Sequence, residues 1–262
     1  MTALCKLICV LLMTQTPGSP GASPDDRGVR IMQEYKRRSS GYGDSSARLK
    51  MVLRDRRGRT GERRLSIEML EVPGDGPKSL AVFDYPPDIK GTALLTHAHR
   101  DRDDDQWLYL PATRRVRRIT ASGRSGSFVG SEFSYEDIAS REIERYSYRL
   151  LREEPLAALD CYVVESTAAD ASQSGYRRMV WWIDKDAYRV WKIDYYDLKD
   201  ALLKTLVLKD YQQHEDRFWR PASMEMTNHQ TGRGTTLEWS DHAFGAGLDE
   251  ADFSLNRLQR IQ

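Results

Sequence analysis

Residues 91–138 read GTALLTHAHRDRDDDQWLYLPATRRVRRITASGRSGSFVGSEFSYEDI. Gly91 opens a strand over 92–99, the Asp-rich run 101–105 makes a hairpin tip, and 106–110 leads into the next strand. Successive side chains of a strand point to opposite faces, so Trp107 and Tyr109 share one face and Leu108 and Leu110 the other. A strand that is apolar on both faces needs cover on both, one face on a helix or cavity and the other under a loop. Gly123, Gly126 and Gly130 make 122–131 a tightly turning loop. Ser134-Tyr135-Glu136-Asp137 then starts a short helix with acids at its positive end. The expectation is that 126–137 folds over the mouth of a curved sheet, with Phe128, Val129 and Phe133 facing inward.

The same rhythm runs outward in both directions. Upstream, Leu49, Met51 and Leu53 alternate with Lys50, Val52 and Arg54; after the turn DRRGRTG, Leu65, Ile67 and Met69 alternate with Ser66 and Glu68. That is a hairpin with one apolar and one charged face. A further strand over 80–85 ends at Pro86-Pro87. Downstream, strands are expected over 145–151, 159–165, 176–183, 188–195, 202–211, 221–228 and 235–240, with turn signals between most of them. About a dozen strands at this spacing indicate one large antiparallel sheet, curved or partly closed. Only 28–38, where Val29, Ile31, Met32 and Tyr35 recur, has the period of an amphipathic helix, with Asp25 or Asp26 as its cap. The apolar sheet face is rich in Met and aromatic side chains, among them Met51, Met69, Met179, Trp181, Met224 and Trp239. Such side chains suit irregular apolar surfaces, including ligand cavities. One by one they equally suit an ordinary core.

Composition narrows the function. The chain has 262 residues, 40 Lys+Arg and 39 Asp+Glu, a balance that argues against a nucleic-acid binder. Residues 1–23 carry one charge, Lys6, an unbroken apolar run over 7–13 and then small residues and prolines. This pattern fits a short secretory signal, which leaves 24–262 as one domain. Cys9 follows bulky Ile8, so lipidation is not expected, and export would leave Cys161 as the lone thiol, a small buried residue. Without the signal the charges balance at 39 and 39, but 27–64 holds 13 basic and 4 acidic side chains, an excess of +9. Arg114, Arg115, Arg117 and Arg118 add a second basic cluster, and Arg suits anionic headgroups or an acidic partner as readily as a solvated face.

Catalytic signatures are weak. No GxSxG elbow, GxGxxG or P-loop string is present. His97 and His99 share a strand face beside Asp101, Asp103, Asp104 and Asp105, which could hold an ion, but the spacing matches no named zinc or calcium loop. A solvated acidic hairpin tip is the simpler account. Asp184 and Asp186 flank a turn and look solvated.

The segments DDDQWLYLPA (103–112), RRVRRI (114–119) and GSFVGSEFSYEDI (126–138) strongly resemble the outer-membrane lipoprotein-sorting protein family. That family is similar in fold to the LolA and LolB periplasmic lipoprotein carriers. The resemblance extends over nearly the whole of 24–262, to the closing Asp252-Phe253-Ser254. It implies a mainly β fold, a single curved antiparallel sheet forming a half-open, unclosed barrel with covering helices. Acyl chains of lipids or lipoproteins would lie on the concave apolar side, in transit between the membranes of a Gram-negative envelope. It also implies a periplasmic location, transient membrane contact and, in many relatives, an RND-type exporter as partner. The expected cavity residues are Met51, Leu53, Ile67, Met69, Trp107, Tyr109, Phe128, Phe133, Trp181 and Met224. No cofactor, metal or catalytic residue is expected. The alternatives are an exporter adaptor with a filled core and a metal-dependent enzyme built on His97 and His99.

Overall fold

The computed structural model describes residues 24–261; the expected secretory segment 1–23 lies outside them. The chain opens with a helix, α1 (Pro24–Ser39). It then forms β1 (Asp44–Arg54), β2 (Thr60–Leu70), β3 (Lys78–Tyr85), β4 (Ala93–His97), β5 (Asp105–Leu110) and β6 (Arg115–Arg118). A crossing segment, 119–145, contains the one-turn helix α2 (Tyr135–Ile138). The second run comprises β7 (Tyr146–Leu156), β8 (Leu159–Ala168), β9 (Arg178–Asp184), β10 (Val190–Tyr196), β11 (Leu202–His214), β12 (Phe218–Asn228) and β13 (Gly234–Phe244). A short helix, α3 (Leu255–Leu258), ends it.

Among the described residues, thirteen strands form one sheet, in the order β6-β5-β4-β3-β2-β1-β13-β12-β11-β10-β9-β8-β7. Each strand pairs antiparallel with its neighbour within its run, and the two meanders meet at a seam where β1 pairs β13 from Ser45↔Phe244 to Arg54↔Gly234, with a register shift between Ser46 and Arg48. The free edges are therefore β6 and β7, which do not pair. The barrel stays open there, and the crossing segment bridges the gap. Twisted hairpins of this length curl a sheet without closing it.

Strand β6 is absent from the sequence expectation. Its residues RVRR offer one apolar position, Val116, so no alternation marks it; it exists by pairing with β5, Trp107↔Arg118 to Leu110↔Arg115. Charged side chains on such an edge also discourage pairing with other chains. Helix α1 starts earlier than its periodicity indicates. Asp25 and Asp26 lie inside its first turn and Lys36, Arg37 and Arg38 in its last, both favourable to the helix dipole. It lies on β7 at Gly28, where a Cβ would sit 2.8 Å from the Leu150 nitrogen.

Alternation sorts the apolar side chains between two faces. The concave face and its covers form the main core, with Leu49, Met51, Leu65, Phe83, Leu94, Met179, Trp181, Ile183, Ile193, Leu206, Met226 and Leu237 among its buried members. The convex face carries two smaller clusters. One joins Leu80, Ala93, Leu95 and Tyr109 to Phe253 and Leu258 of the C-terminal segment. The other holds Cys161, Val163, Val180 and Trp182. There, Lys192 and Arg152 lie over the Trp182 ring, so long cationic stems shield that patch from water. Cys161 is buried, and burial pushes its thiol up to about 11, which leaves it unreactive at neutral pH. Asp184 is not solvated as expected. It is 1% exposed and accepts from Arg189 Nε (2.9 Å), Trp191 Nε1 (2.8 Å) and the Ala187 amide (2.7 Å), which ties down the β9–β10 turn.

Candidate functional site

A cavity of about 680 Å³ lies between the concave face and its covers. Its floor is built by alternate residues of strands from both meanders: Ala47, Ile67 and Met69 from one, Trp181, Ile193, Leu206, Leu208, Met224 and Trp239 from the other. Its roof is Met32 and Tyr35 of α1 with Phe133, Ala139 and Ile143 of the crossing segment. The size falls within the range of small-molecule and lipid sites.

The crossing segment is held over this space by two devices. Val129 adopts φ 47°, ψ 41°, and Gly130 follows at φ 78°. A left-handed β-branched residue is strained, by roughly 1–3 kcal/mol, and here it reverses the chain so that Phe128 and Phe133 both turn inward. Phe128 then packs on Phe83 with ring centroids 5.6 Å apart. The second device is a buried ion cluster. Asp137 caps α2 through a capping box with Ser134. It also accepts from Lys204 Nζ (2.5 Å), Tyr176 Oη (3.0 Å) and Arg141 Nη2 (3.3 Å). Burial alone would raise the Asp137 carboxyl; the Lys204 and Arg141 charges outweigh it and hold the group below the ordinary carboxylate range. Lys204 also donates to the Glu132 carbonyl at 3.0 Å, so β11 is pinned to the crossing segment twice.

Five of the ten expected cavity residues meet around this space: Ile67, Met69, Phe133, Trp181 and Met224. Met51, Leu53 and Phe128 belong to the same concave core but lie away from the cavity wall. Trp107 and Tyr109 are a correction. They stand opposite Leu95 and Ala93 and pack on the convex face beneath the C-terminal segment. Strand β5 is covered on both faces except at Leu110, which is exposed at its end, and the two faces are assigned the other way round: Gln106, on the face of Leu108, donates to the Tyr135 carbonyl of the crossing segment at 3.1 Å.

The polar side of the cavity was not visible in sequence. Tyr146, Tyr148 and Tyr195 line it together with Arg141, whose guanidinium lies 5.5 Å from the Trp181 ring centroid and 5.7 Å from that of Tyr195. Burial raises the Tyr146 and Tyr195 hydroxyls, and the Arg141 charge beside them partly offsets it. Arg220 lines the cavity too, donating to the Ser39 and Trp219 carbonyls at 3.2 and 3.1 Å. The pair Tyr146 and Tyr148 does alternate in sequence; their closeness to Arg141 arises only when the crossing segment docks.

A second, polar recess of about 870 Å³ meets the cavity at Pro73, Asp75 and Tyr146. Arg100, Asp101, Arg102, Asp103, Glu144 and Arg145 line it. The two histidines have separate partners, although His99 also lies against the acidic tip, its Nε2 3.4 Å from Asp105 Oδ2. His97 Nε2 contacts the Phe253 carbonyl at 2.7 Å, and His99 Nδ1 contacts Asp75 Oδ2 at 2.7 Å. Among the described residues no group of three His, Cys, Asp or Glu could hold a metal ion.

An open thirteen-stranded sheet whose concave face encloses a roofed apolar cavity defines a LolA-like half-barrel. The chain belongs to the family of outer-membrane lipoprotein-sorting protein domains and DUF1329 proteins that these relatives represent. It is 47% identical to an outer membrane lipoprotein-sorting protein domain from Vibrio parahaemolyticus, with a TM-score of 0.88 over 90% of this chain and 100% of that one. A DUF1329 family protein from Desulfovibrio piger is 30% identical, with a TM-score of 0.85 over 90% of this chain and 100% of that one. The LolA superfamily protein NE2245 from Nitrosomonas europaea shares the fold, with a TM-score of 0.71 at 20% identity, over 87% of this chain and 97% of that one. A family model described as an uncharacterized protein matches residues 75–260. No curated protein matches the chain.

Proposed function

We propose that this protein is a non-enzymatic periplasmic carrier that holds acyl chains in the concave cavity and moves them between the membranes of a bacterial envelope. The observation that carries this is the roofed apolar space itself. An adaptor with a filled core has no use for it. Acyl binding would be driven by removal of apolar area from water, at about 25 cal/mol per Å². Half-buried Met69, Met224 and Trp239 give walls that adapt to different chains and release them. The family resemblance and the lipoprotein-sorting relative support the same reading.

A space of about 680 Å³ suits one or two acyl chains. Contact with a membrane or an RND-type exporter belongs to the same proposal, and the β1–β2 tip offers Arg54, Arg56, Arg57 and Arg59, all exposed, for either. Native mass spectrometry of protein isolated from the envelope of its own host tests the reading. The expected result is a lipid adduct of one or two chains that extraction removes and a C12–C16 amphiphile restores. Failure to bind such amphiphiles at any concentration below their aggregation would overturn it.

A further inference from the structure

The cavity is not uniformly greasy. Arg141 projects into it from the roof, and its charge is only partly used. Its guanidinium reaches one carboxylate, Asp137 Oδ1, through Nη2 at 3.3 Å. Asp137 is already served at 2.5 Å by Lys204, by Tyr176 and by the Ser134 amide. Asp137 therefore faces two cations, with Glu136 a weaker second charge acting on Arg141. The Arg141 Nε is buried and has no hydrogen-bond partner among the described residues. A buried donor without a partner is a cost that an acceptor reaching it would remove.

We propose that the cavity selects single-chain amphiphiles with a carboxylate head, and that Arg141 holds the head while the chain lies along Ile193, Leu206, Leu208 and Met224. The proposal rests on the carrier reading above. A carboxylate suits the site better than a phosphate. The planar fork of one Arg matches two coplanar oxygens, whereas a phosphate brings a further oxygen and, near Asp137, more repulsion. Tyr146 and Tyr195 line the same side of the cavity, with the Arg141 guanidinium 5.7 Å from the Tyr195 ring centroid, and their hydroxyls can donate to a bound head. The roof residues Tyr35 and Phe133 leave the chain, not the head, in apolar contact.

The test is titration of delipidated protein at pH 8 with dodecanoate, dodecanol and dodecyl phosphate, followed by Trp fluorescence. Wild type should bind dodecanoate at least tenfold more tightly than dodecanol and more tightly than dodecyl phosphate. Arg141→Gln should lose about tenfold for dodecanoate and clearly less for dodecanol. Arg141→Lys, which keeps the charge without the fork, should fall between them. Equal binding of acid and alcohol by wild type, or an unchanged dodecanoate affinity in Arg141→Gln, overturns the head-group assignment and leaves the carrier intact. Tighter binding of dodecyl phosphate overturns the choice of carboxylate. Binding of none of the three overturns the carrier reading itself. Lys204 still pairs Asp137 in these variants, and Arg141→Lys gives the readout if Arg141→Gln does not fold.

Discussion

The two faces of the sheet carry the same kinds of residue and meet different fates. On the convex side, Leu80, Ala93, Leu95 and Tyr109 are closed over by Phe253 and Leu258, all of them 5% exposed or less. On the concave side, β1, β2 and β9 to β13 are roofed by α1 and the crossing segment, and the roof stands off far enough to leave about 680 Å³. Residue type does not separate the faces. The covers do: the convex cover is a short apolar plug, while the concave cover is pinned by a buried ion cluster that fixes its height. Polar pins at a set distance keep a cavity open where apolar collapse would close it.

The largest effect should come from breaking the pins. Asp137→Asn leaves Lys204 and Arg141 facing each other without an anion, and should cost about 3–5 kcal/mol in urea unfolding. The sign with pH follows from the lowered Asp137 carboxyl. Its stabilisation is complete above the unfolded carboxylate value of about 4 and is lost as pH falls through the folded value. Wild type should therefore weaken more steeply than Asp137→Asn below pH 4, and parallel profiles would remove Asp137 from the pins.

Removing the convex plug should cost somewhat less and leave the cargo alone. Phe253→Ala is expected to lose about 3 kcal/mol, since the vacated space is closed on all sides. Dodecanol affinity should stay within twofold. A tenfold loss of binding would show that the two faces are coupled through the sheet.

The comparison also marks what the sequence could disclose. Period-two alternation placed twelve of the strands and both faces of β5, because each needs only its own residues. It could not say which face of β5 is concave, since Trp107, Tyr109, Leu108 and Leu110 are all apolar and the decision lies with Phe253, some 150 residues away. Strand β6 was illegible for the opposite reason, having nearly no apolar residue. Ile67, Met69, Trp181 and Met224 were legible as wall residues from alternation, and Phe133 from the expected fold-over. Arg141 was not: a charged residue in a loop reads as solvated until Asp137 and the tyrosines are brought to it.

A matched pair of insertions sharpens the contrast. Ala47→Phe puts a ring into the cavity, and Ala93→Phe puts one under the plug. Overpacking a filled core costs about 1–3 kcal/mol, so Ala93→Phe should destabilise by that amount with little effect on binding. Ala47→Phe should change stability by less than about 1 kcal/mol but weaken dodecanol binding about tenfold, or 1.4 kcal/mol. If the two variants lost equal stability, the concave space would not be open in solution.

The smallest effect concerns a histidine at the cavity wall. His242 lines the cavity, with its ring 4.8 Å from that of His214 and 5.9 Å from that of Trp239. Burial, then the His214 and Arg220 charges, lower it to about 4. The unfolded chain takes up this proton near pH 6.5, while the folded one stays neutral down to about 4. Stability from this group is thus lost as pH falls through that window, with the unfolded state binding more protons. His242 is only half-buried, and solvent screening leaves about 1 kcal/mol of the nominal shift. His97, on the convex side, is also lowered by burial, but its contact with the Phe253 carbonyl opposes the shift. His242→Phe should therefore flatten the loss of stability between pH 7 and pH 5 more than His97→Asn does. That ordering is measurable as the difference in urea midpoint between the two pH values. The reverse ordering would mean that water reaches the concave wall as freely as the convex surface, and that the roof does not keep the cavity dry.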